Sequence, residues 1–439
     1  EAVAQGWPDH PETFAWLRER ATADTHQNVR SAAVQAVAQG WPDHPETLTW
    51  LRERTTTDSD EDVRRVAIEA VAQGWPDHPE TLTWLRERTT TDSDEDVRRA
   101  AVQAVAQGWP DHPETLTWLR ERATADTHQN VRRAAVQAVA QGWPDHPETL
   151  TWLRERATAD THQNVRRAAV QAVAQGWPDH PETLTWLRER ATADTHEDVR
   201  SAAVEAVAQG LRDHPEALTL LRERTTTDTH QNVRRAAVQA IAQGWLERPE
   251  TLAWLYELAT VDTHEDVRSA AVQAIAQGRR ERPETLAWLY ERVTIEAHEN
   301  VRRAAIQAIA RGWRDSHEAL ARLRERATVD THEDVRSAAV QAIAQNWPGR
   351  PETFAWHHDY AIQDEHWRVR RAAVQAVARG WPDHPETLTW LRERATVDTH
   401  EDVRSAAVQA VARGWPDHPE TLTWLRERAT ADTHEDVRT

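Results

Sequence analysis

The sequence contains no cysteine, no methionine and no lysine. Without cysteine there are no disulfides and no thiolate metal sites, and nothing can be inferred about redox compartment. Without lysine, all 53 permanently cationic side chains are arginine; 72 Asp and Glu outweigh them, for a formal net charge of −19. Such a balance disfavours nucleic acid or an anionic membrane as the main partner. No apolar run approaches the roughly 18–20 residues of a membrane span, and no secretory signal opens the chain, so a cytoplasmic location is expected. Tyr and Phe are scarce, at three and two, whereas there are 23 Trp. Glycine is scarce as well, and 12 of its 13 copies fall on a fixed spacing.

Those glycines run from Gly6, Gly40 and Gly74 to Gly380 and Gly414 in steps of 34 residues, with Asn346 in the one missing slot of 13. A period held without insertion or deletion is the signature of a solenoid. It overrides the prior of about three globular domains for this length and predicts one repeat domain over residues 1–439. The unit is clearest in the stretch Asp126 to Gly142. Val131, Ala134, Ala135, Ala138 and Val139 fall on one helical face, Asp126 and Gln129 resemble a capping box, and Gly142 is expected to stop the helix in a left-handed conformation. Between Gly40 and Gly74, Pro45 opens a first helix to about Arg54 with Leu48 and Leu51 inward; a second runs from Asp58 through Val63 and Val71. The predicted fold is all-α: an α-α superhelical solenoid of about 13 two-helix repeats. Both ends cut through a helix, so the segment is expected to belong to a longer polypeptide or to have its ends covered by other copies.

Arg132 falls inside the apolar arc and needs an acid, for which Asp126 of its own repeat or its equivalent in the next is the candidate. The spacing Asp-x5-Arg recurs as Asp24/Arg30, Asp58/Arg64, Asp92/Arg98, Asp126/Arg132, Asp160/Arg166 and on to Asp432/Arg438, with Glu296 replacing Asp once before Arg302. Followed by an Ala-rich helix, this pattern resembles HEAT repeats. The resemblance implies that acid and Arg form a ladder between successive repeats. The period also suits tetratricopeptide repeats, but their Leu-Gly…Tyr pattern is absent. A narrower resemblance rests on Gly142 to Thr158 and on Asp364 to Ala373, which look like the Trp-containing HEAT-like repeats C-terminal to NACHT-type STAND NTPase modules in bacteria. It implies a sensing arm; a chain without lysine has no phosphate-binding Gly-x4-Gly-Lys loop of its own.

The Trp residues lie nine apart within units, as in Trp41/Trp50 and Trp109/Trp118. Such periodicity favours filling of the seams between repeats over an aromatic stack for ligands. Histidines recur in two turns, as His44 and His128, where capping suits them better than metal ligation. A metal candidate is the unit with His357, His358 and His366 beside Asp359 and Asp364, although its spacing matches no familiar ligand pattern. No nucleophile–base grouping stands out, so no enzyme and no cofactor is expected.

Binding is the better-supported class. Exposed slots on the second helices carry Arg65, Arg99, Arg133 and Arg167, then Gln103 and Gln137, then Gln107, Arg311, Arg379 and Arg413. Such a wall suits a polar or acidic protein surface, or is simply a soluble face. The divergent block, about Gly210 to Arg371, holds the candidate partner-binding residues Tyr256, Arg279, Arg280, Tyr290, Arg322, His357, His358, Tyr360 and Trp367. Drift of older repeats is the competing account of that divergence. The expected function is a non-catalytic recognition scaffold, the sensor arm of a STAND-type protein, with a protein partner. The alternative is self-association of near-identical units end to end into filaments or rings.

Overall fold

A computed structural model of the chain describes residues 11–214, 216–278, 282–348, 350–432 and 434–438. Every regular element among the described residues is a helix, from Pro11–Ala23 to Glu435–Arg438, and none is long and apolar enough to cross a membrane. The helices alternate between a short first and a longer second member of each pair, which makes the fold an α-α solenoid of two-helix repeats. They group into two compact units, Glu1–Leu220 and Leu221–Thr439.

In the first unit, the pair Thr115–Ala125 and Gln129–Gly142 shows why neither helix stands alone. The first is 11 residues long and buries Leu116, Leu119 and Ala123; the second is 14 long and buries Val131, Ala134, Ala135, Val136 and Val139. Helices of that length are marginal in water. The second helix Gln129–Gly142 packs on its own first helix and on the second helices before and after it, Glu95–Gly108 and Gln163–Gly176. Alanine at the contacts lets axes approach to about 8–10 Å. The second unit repeats the arrangement around a continuous core from Val238 to Val411, in which Ile275, Ile309 and Ile343 take the place of valine.

Local features depart from the sequence reading in three ways. First, Gly142 is not left-handed: it has no positive φ and is the last residue of its helix. The helical pattern runs past it, since the Trp143 N–H donates to the Val139 carbonyl at 3.1 Å, and the chain leaves at Trp143 with φ −133 and ψ 53. Second, Asp126 does not cap the helix that follows. Its Oδ1 accepts the His128 N–H at 2.8 Å, and His128 is the N-cap, its Nδ1 accepting the Asn130 N–H at 3.3 Å. Third, the first helix of a regular pair starts two residues late, at Thr47, because His44 and Thr47 donate to the Trp41 and His44 carbonyls in consecutive turns. Proline occupies the first helical turn in Pro249–Val261, Pro283–Ile295 and Pro351–Gln363.

The glycine geometry carries a prediction. A Cβ at Gly142 would meet nothing within 4 Å, so Gly142→Ala should stabilise by about 0.5–1 kcal/mol through helix propensity and a less flexible unfolded chain. At Gly278 the added carbon would lie 3.1 Å from Leu246 Cβ and 3.3 Å from Leu252 Cδ2, so Gly278→Ala should destabilise. Parallel urea titrations of the two variants check the opposite signs.

Candidate interaction surface

Two ladders tie successive repeats together, and they decide which side chains remain free for a partner. In the first ladder the Arg of one repeat reaches the acid of the next. Arg30 donates from Nε and NH2 to the two Asp58 oxygens at 3.0 and 2.9 Å, and from NH1 to the Asp24 carbonyl at 2.9 Å. Within the first unit the same fork joins Arg64 to Asp92, Arg98 to Asp126, Arg132 to Asp160 and Arg166 to Asp194. Within the second unit it joins Arg234 to Asp262, Arg302 to Asp330, Arg336 to Asp364, Arg370 to Asp398 and Arg404 to Asp432. Arg268 makes a single contact of 3.0 Å to Glu296, whose longer side chain replaces Asp. The carboxylate thus comes from the next repeat, while the repeat's own acid contributes its main-chain oxygen. Burial opposes ionisation of Asp194 and Asp398, but the guanidinium and a backbone N–H outweigh it and hold both carboxyls below their ordinary range.

A second ladder runs along the first helices and was not anticipated from sequence. Arg52 lies over the Trp84 ring at 5.5 Å, with NH1 3.2 Å from Glu80; Arg86 and Arg120 repeat this over Trp118 and Trp152. In the second unit Arg222, Arg324 and Arg392 face Trp254, Trp356 and Trp424. Each such pair contributes on the order of 0.5–1 kcal/mol when partly exposed.

The second ladder explains several of the divergent residues. Tyr256 occupies the Arg slot, meets Trp288 edge-on at 4.8 Å and shares a 3.3 Å hydrogen bond with Thr285. At the next step the partners exchange sides: Tyr290 takes the Arg slot, and Arg322, in the Trp slot, lies 5.6 Å over its ring. His358 follows the same rule against Trp390, at 5.3 Å. Tyr360 is buried, stacks on Trp356 at 4.9 Å and donates to the Ala327 carbonyl. Trp367 is half-buried and stacks on His400 at 4.3 Å. Arg322 is exposed, and Arg279 and Arg280 lie outside the described residues.

His357 replaces a leucine that is fully buried at Leu51, Leu85, Leu119 and Leu153, and it is equally buried. Its Nδ1 lies 2.7 Å from the Thr353 carbonyl and its Nε2 3.0 Å from the Val340 carbonyl. Burial, assisted by Arg324 and opposed by the two carbonyls, pushes its pKa down. A neutral imidazole donates from one nitrogen only, so the other turns a lone pair on a carbonyl oxygen. His357→Leu should therefore stabilise the second unit by about 0.5–2 kcal/mol. The sign of the pH dependence follows from the lowered value. Below about pH 6.5 the unfolded imidazole takes a proton that the folded one resists, so the parent chain loses stability on acidification through this window. Melts at pH 7 and pH 5.5 should show that loss in the parent and a smaller one in the variant.

The histidine unit does not converge on a metal. His357 is engaged as above, His358 faces Trp390, His366 caps its helix by accepting the Arg368 N–H, and Asp364 is held by Arg336. Among the described residues two other groups cluster, His196/Glu197/Asp198 and His264/Glu265/Asp266. In each the imidazole Nδ1 already accepts a helix N–H at 3.2 Å, so these are N-caps with acidic neighbours.

What remains free is the outer face of the second helices, where Gln103, Gln107, Gln137 and Gln141 are exposed. Grooves open between successive second helices near their C-terminal ends. In the first unit Gln171, Gln175, Glu205 and Gln209 line one of about 260 Å3 over an alanine floor. In the second unit Gln341, Gln345, Gln375 and Arg379 line its counterpart, about 200 Å3, and Gln273, Gln277, Gln307 and Arg311 a smaller one.

These features match known proteins at the level of the fold. No curated protein matches the sequence. Among solved structures, Kap95p from a study of its binding to RanGDP superimposes with a TM-score of 0.59 at 16% identity, covering 97% of this chain and 65% of that one. A Kap121p mutant superimposes with a TM-score of 0.50 at 15% identity, covering 98% of this chain and 53% of that one. The chain thus spans between half and two thirds of the length of these relatives. The family model for HEAT repeats matches residues 2–72, 72–140, 116–208, 150–242, 184–276, 252–344 and 349–439. The chain belongs to the HEAT-repeat family.

Proposed function

We propose that this chain is a non-catalytic protein-recognition arm, one repeat array over residues 1–439, serving as the sensor of a STAND-type signalling NTPase in a longer chain or assembly. The observation that carries the binding reading is the repeated groove between second helices, lined by glutamine amides that neither ladder uses. The structural neighbours are consistent with it: Kap95p binds RanGDP. The STAND assignment rests on the Trp-containing repeat unit, Gly142 to Thr158 and Asp364 to Ala373, which resembles the repeats that follow NACHT-type modules.

The divergent block is the region to test. Rewriting residues 244–371 to the sequence of residues 40–167 keeps the 34-residue register and supplies every ladder position with its regular partner. The chimera should retain the helical circular dichroism of the parent and lose the response to the natural trigger. An unchanged response would place the recognition surface elsewhere and leave drift as the account of the block. A light-scattering mass that climbs with concentration would favour the self-assembling reading instead.

A further inference from the structure

From the guanidinium groups that no carboxylate neutralises, we infer that the second unit binds an acidic, extended protein segment along its second helices, with Arg311, Arg379 and Arg413 each taking one carboxylate. The inference rests on the recognition reading above and specifies the partner's chemistry. In the first unit two second-helix cations nearer the helix starts are neutralised locally, Arg65 by Asp62 at 2.8 Å and Glu69 at 3.1 Å and Arg99 by Asp96 at 3.1 Å, and the slot of Arg311, Arg379 and Arg413 carries glutamine, as at Gln107, Gln141 and Gln175. In the second unit Arg311, Arg379 and Arg413 are exposed, and among the described residues none forms an ion pair. These three cations share one face of the second helices, so on a molecule with net charge −19 they give an anionic ligand local attraction there.

The grooves supply the rest of the site. Arg379 stands at the lip of the groove lined by Gln341, Gln345 and Gln375, and Arg311 at that of the groove lined by Gln273, Gln277 and Gln307. A carboxamide offers both donors and an acceptor, which suits the main chain of an extended segment whose own hydrogen bonds are unmade. A guanidinium offers a planar fork to a carboxylate. The first unit provides an internal contrast. Five repeats earlier the same groove carries Glu205 and Gln209 where the second unit has Gln375 and Arg379. The architecture is shared and the charge is reversed.

Spacing then constrains the ligand. Second helices pack at about 8–10 Å, and an extended chain advances about 3.3 Å per residue, so one repeat corresponds to about three ligand residues. Arg311 and Arg379 are two repeats apart, with Gln345 between them, and Arg413 is one repeat further. A matching segment carries acids at positions i, i+6 and i+9.

The test uses a fluorescein-labelled peptide with glutamate at those three positions in a Gly-Ser-Ala background, titrated with the full chain at low salt and read by anisotropy. Arg311→Gln, Arg379→Gln and Arg413→Gln restore the residue that this slot carries in most other repeats, so the fold and its melting should be unchanged. Combined, they should weaken the peptide by at least tenfold, and a peptide with its three glutamates adjacent should also bind less tightly. Failure of the spaced peptide to bind, or equal binding by the triple variant, overturns the acidic-segment inference. The recognition reading fails separately, through a chimera that still responds to its natural trigger.

Discussion

Asp126→Ala should destabilise the surrounding repeats by about 3–5 kcal/mol, the cost of removing one member of a buried ion pair. The Asp126 carboxylate accepts Arg98 Nε at 3.0 Å and NH2 at 3.1 Å, and its Oδ1 also takes the His128 N–H. Only 10% of the Arg98 side chain and 4% of the Asp126 side chain are exposed, so water cannot replace the lost oxygens. Arg98 keeps its NH1 contacts to the Asp92 and Ser93 carbonyls, which hold the guanidinium in place without neutralising it. The residue thus acts mainly as the counter-ion of the preceding repeat and only secondarily as a turn acceptor, so the loss exceeds the ~1 kcal/mol typical of a helix cap. Because repeats touch only their neighbours, hydrogen exchange should accelerate in the helices from Glu95–Gly108 to Gln129–Gly142 and little elsewhere within the first unit. Uniform loosening of that unit would argue against a nearest-neighbour ladder. Acid should weaken the same ladder late at two other rungs. Asp194 and Asp398 have lowered carboxyl pKa values, so their contribution is complete above the unfolded carboxyl range near pH 4 and is lost as pH falls through the lower folded values.

The period, the helix pairs and the buried faces were legible because they are statements about apolar spacing, and Val131, Ala135, Val139 and Leu119 lie where that spacing puts them. The chain's turns were less legible because one residue type serves several ends. Glycine after an Ala-rich helix reads as a left-handed stop, yet at Gly142 the i to i−4 hydrogen bonding continues through Trp143 and the backbone turns one residue later. Asp126 reads as a cap, but the Arg of the preceding repeat competes for the same oxygens, and capping passes to His128. The first-helix ladder was the hardest to see. Arg52 and Arg86 read as solvated charges when a helix is drawn alone, and their rings lie 32 residues ahead. A signal was nevertheless present: Tyr290 and Arg322 exchange the two types across the same spacing. Three divergent positions that resemble an interface by composition, Tyr256, Tyr290 and His358, make ladder contacts of this kind. Each keeps the contact across the same 32-residue spacing, so the ladder survives the divergence of the block.

Trp50→Ala should cost about 3–5 kcal/mol, and Trp118→Ala distinctly less, although the two residues occupy the same slot of the repeat. Trp50 is only 4% exposed and belongs to the core formed by Phe14, Leu17, Leu48 and Leu51, with Arg18 over its ring at 5.6 Å. Trp118 is half-buried against its cluster and carries Arg86 at 5.7 Å on its open face. Removing Trp50 empties a volume that its neighbours cannot refill without moving two helices, whereas removing Trp118 enlarges a seam already open to water and forfeits a cation–π contact. Acrylamide quenching should reflect the same split, with Trp16, 44% exposed, and the half-buried rings quenched readily and Trp50 and Trp347 protected. Fluorescence of the Trp50→Ala and Trp118→Ala variants, subtracted from that of the parent, isolates the two rings. If Trp50 proves as accessible as Trp118 and its loss as cheap, the first-helix tryptophans line a surface along the whole first unit, and an aromatic binding face would displace the packing role assigned to them here.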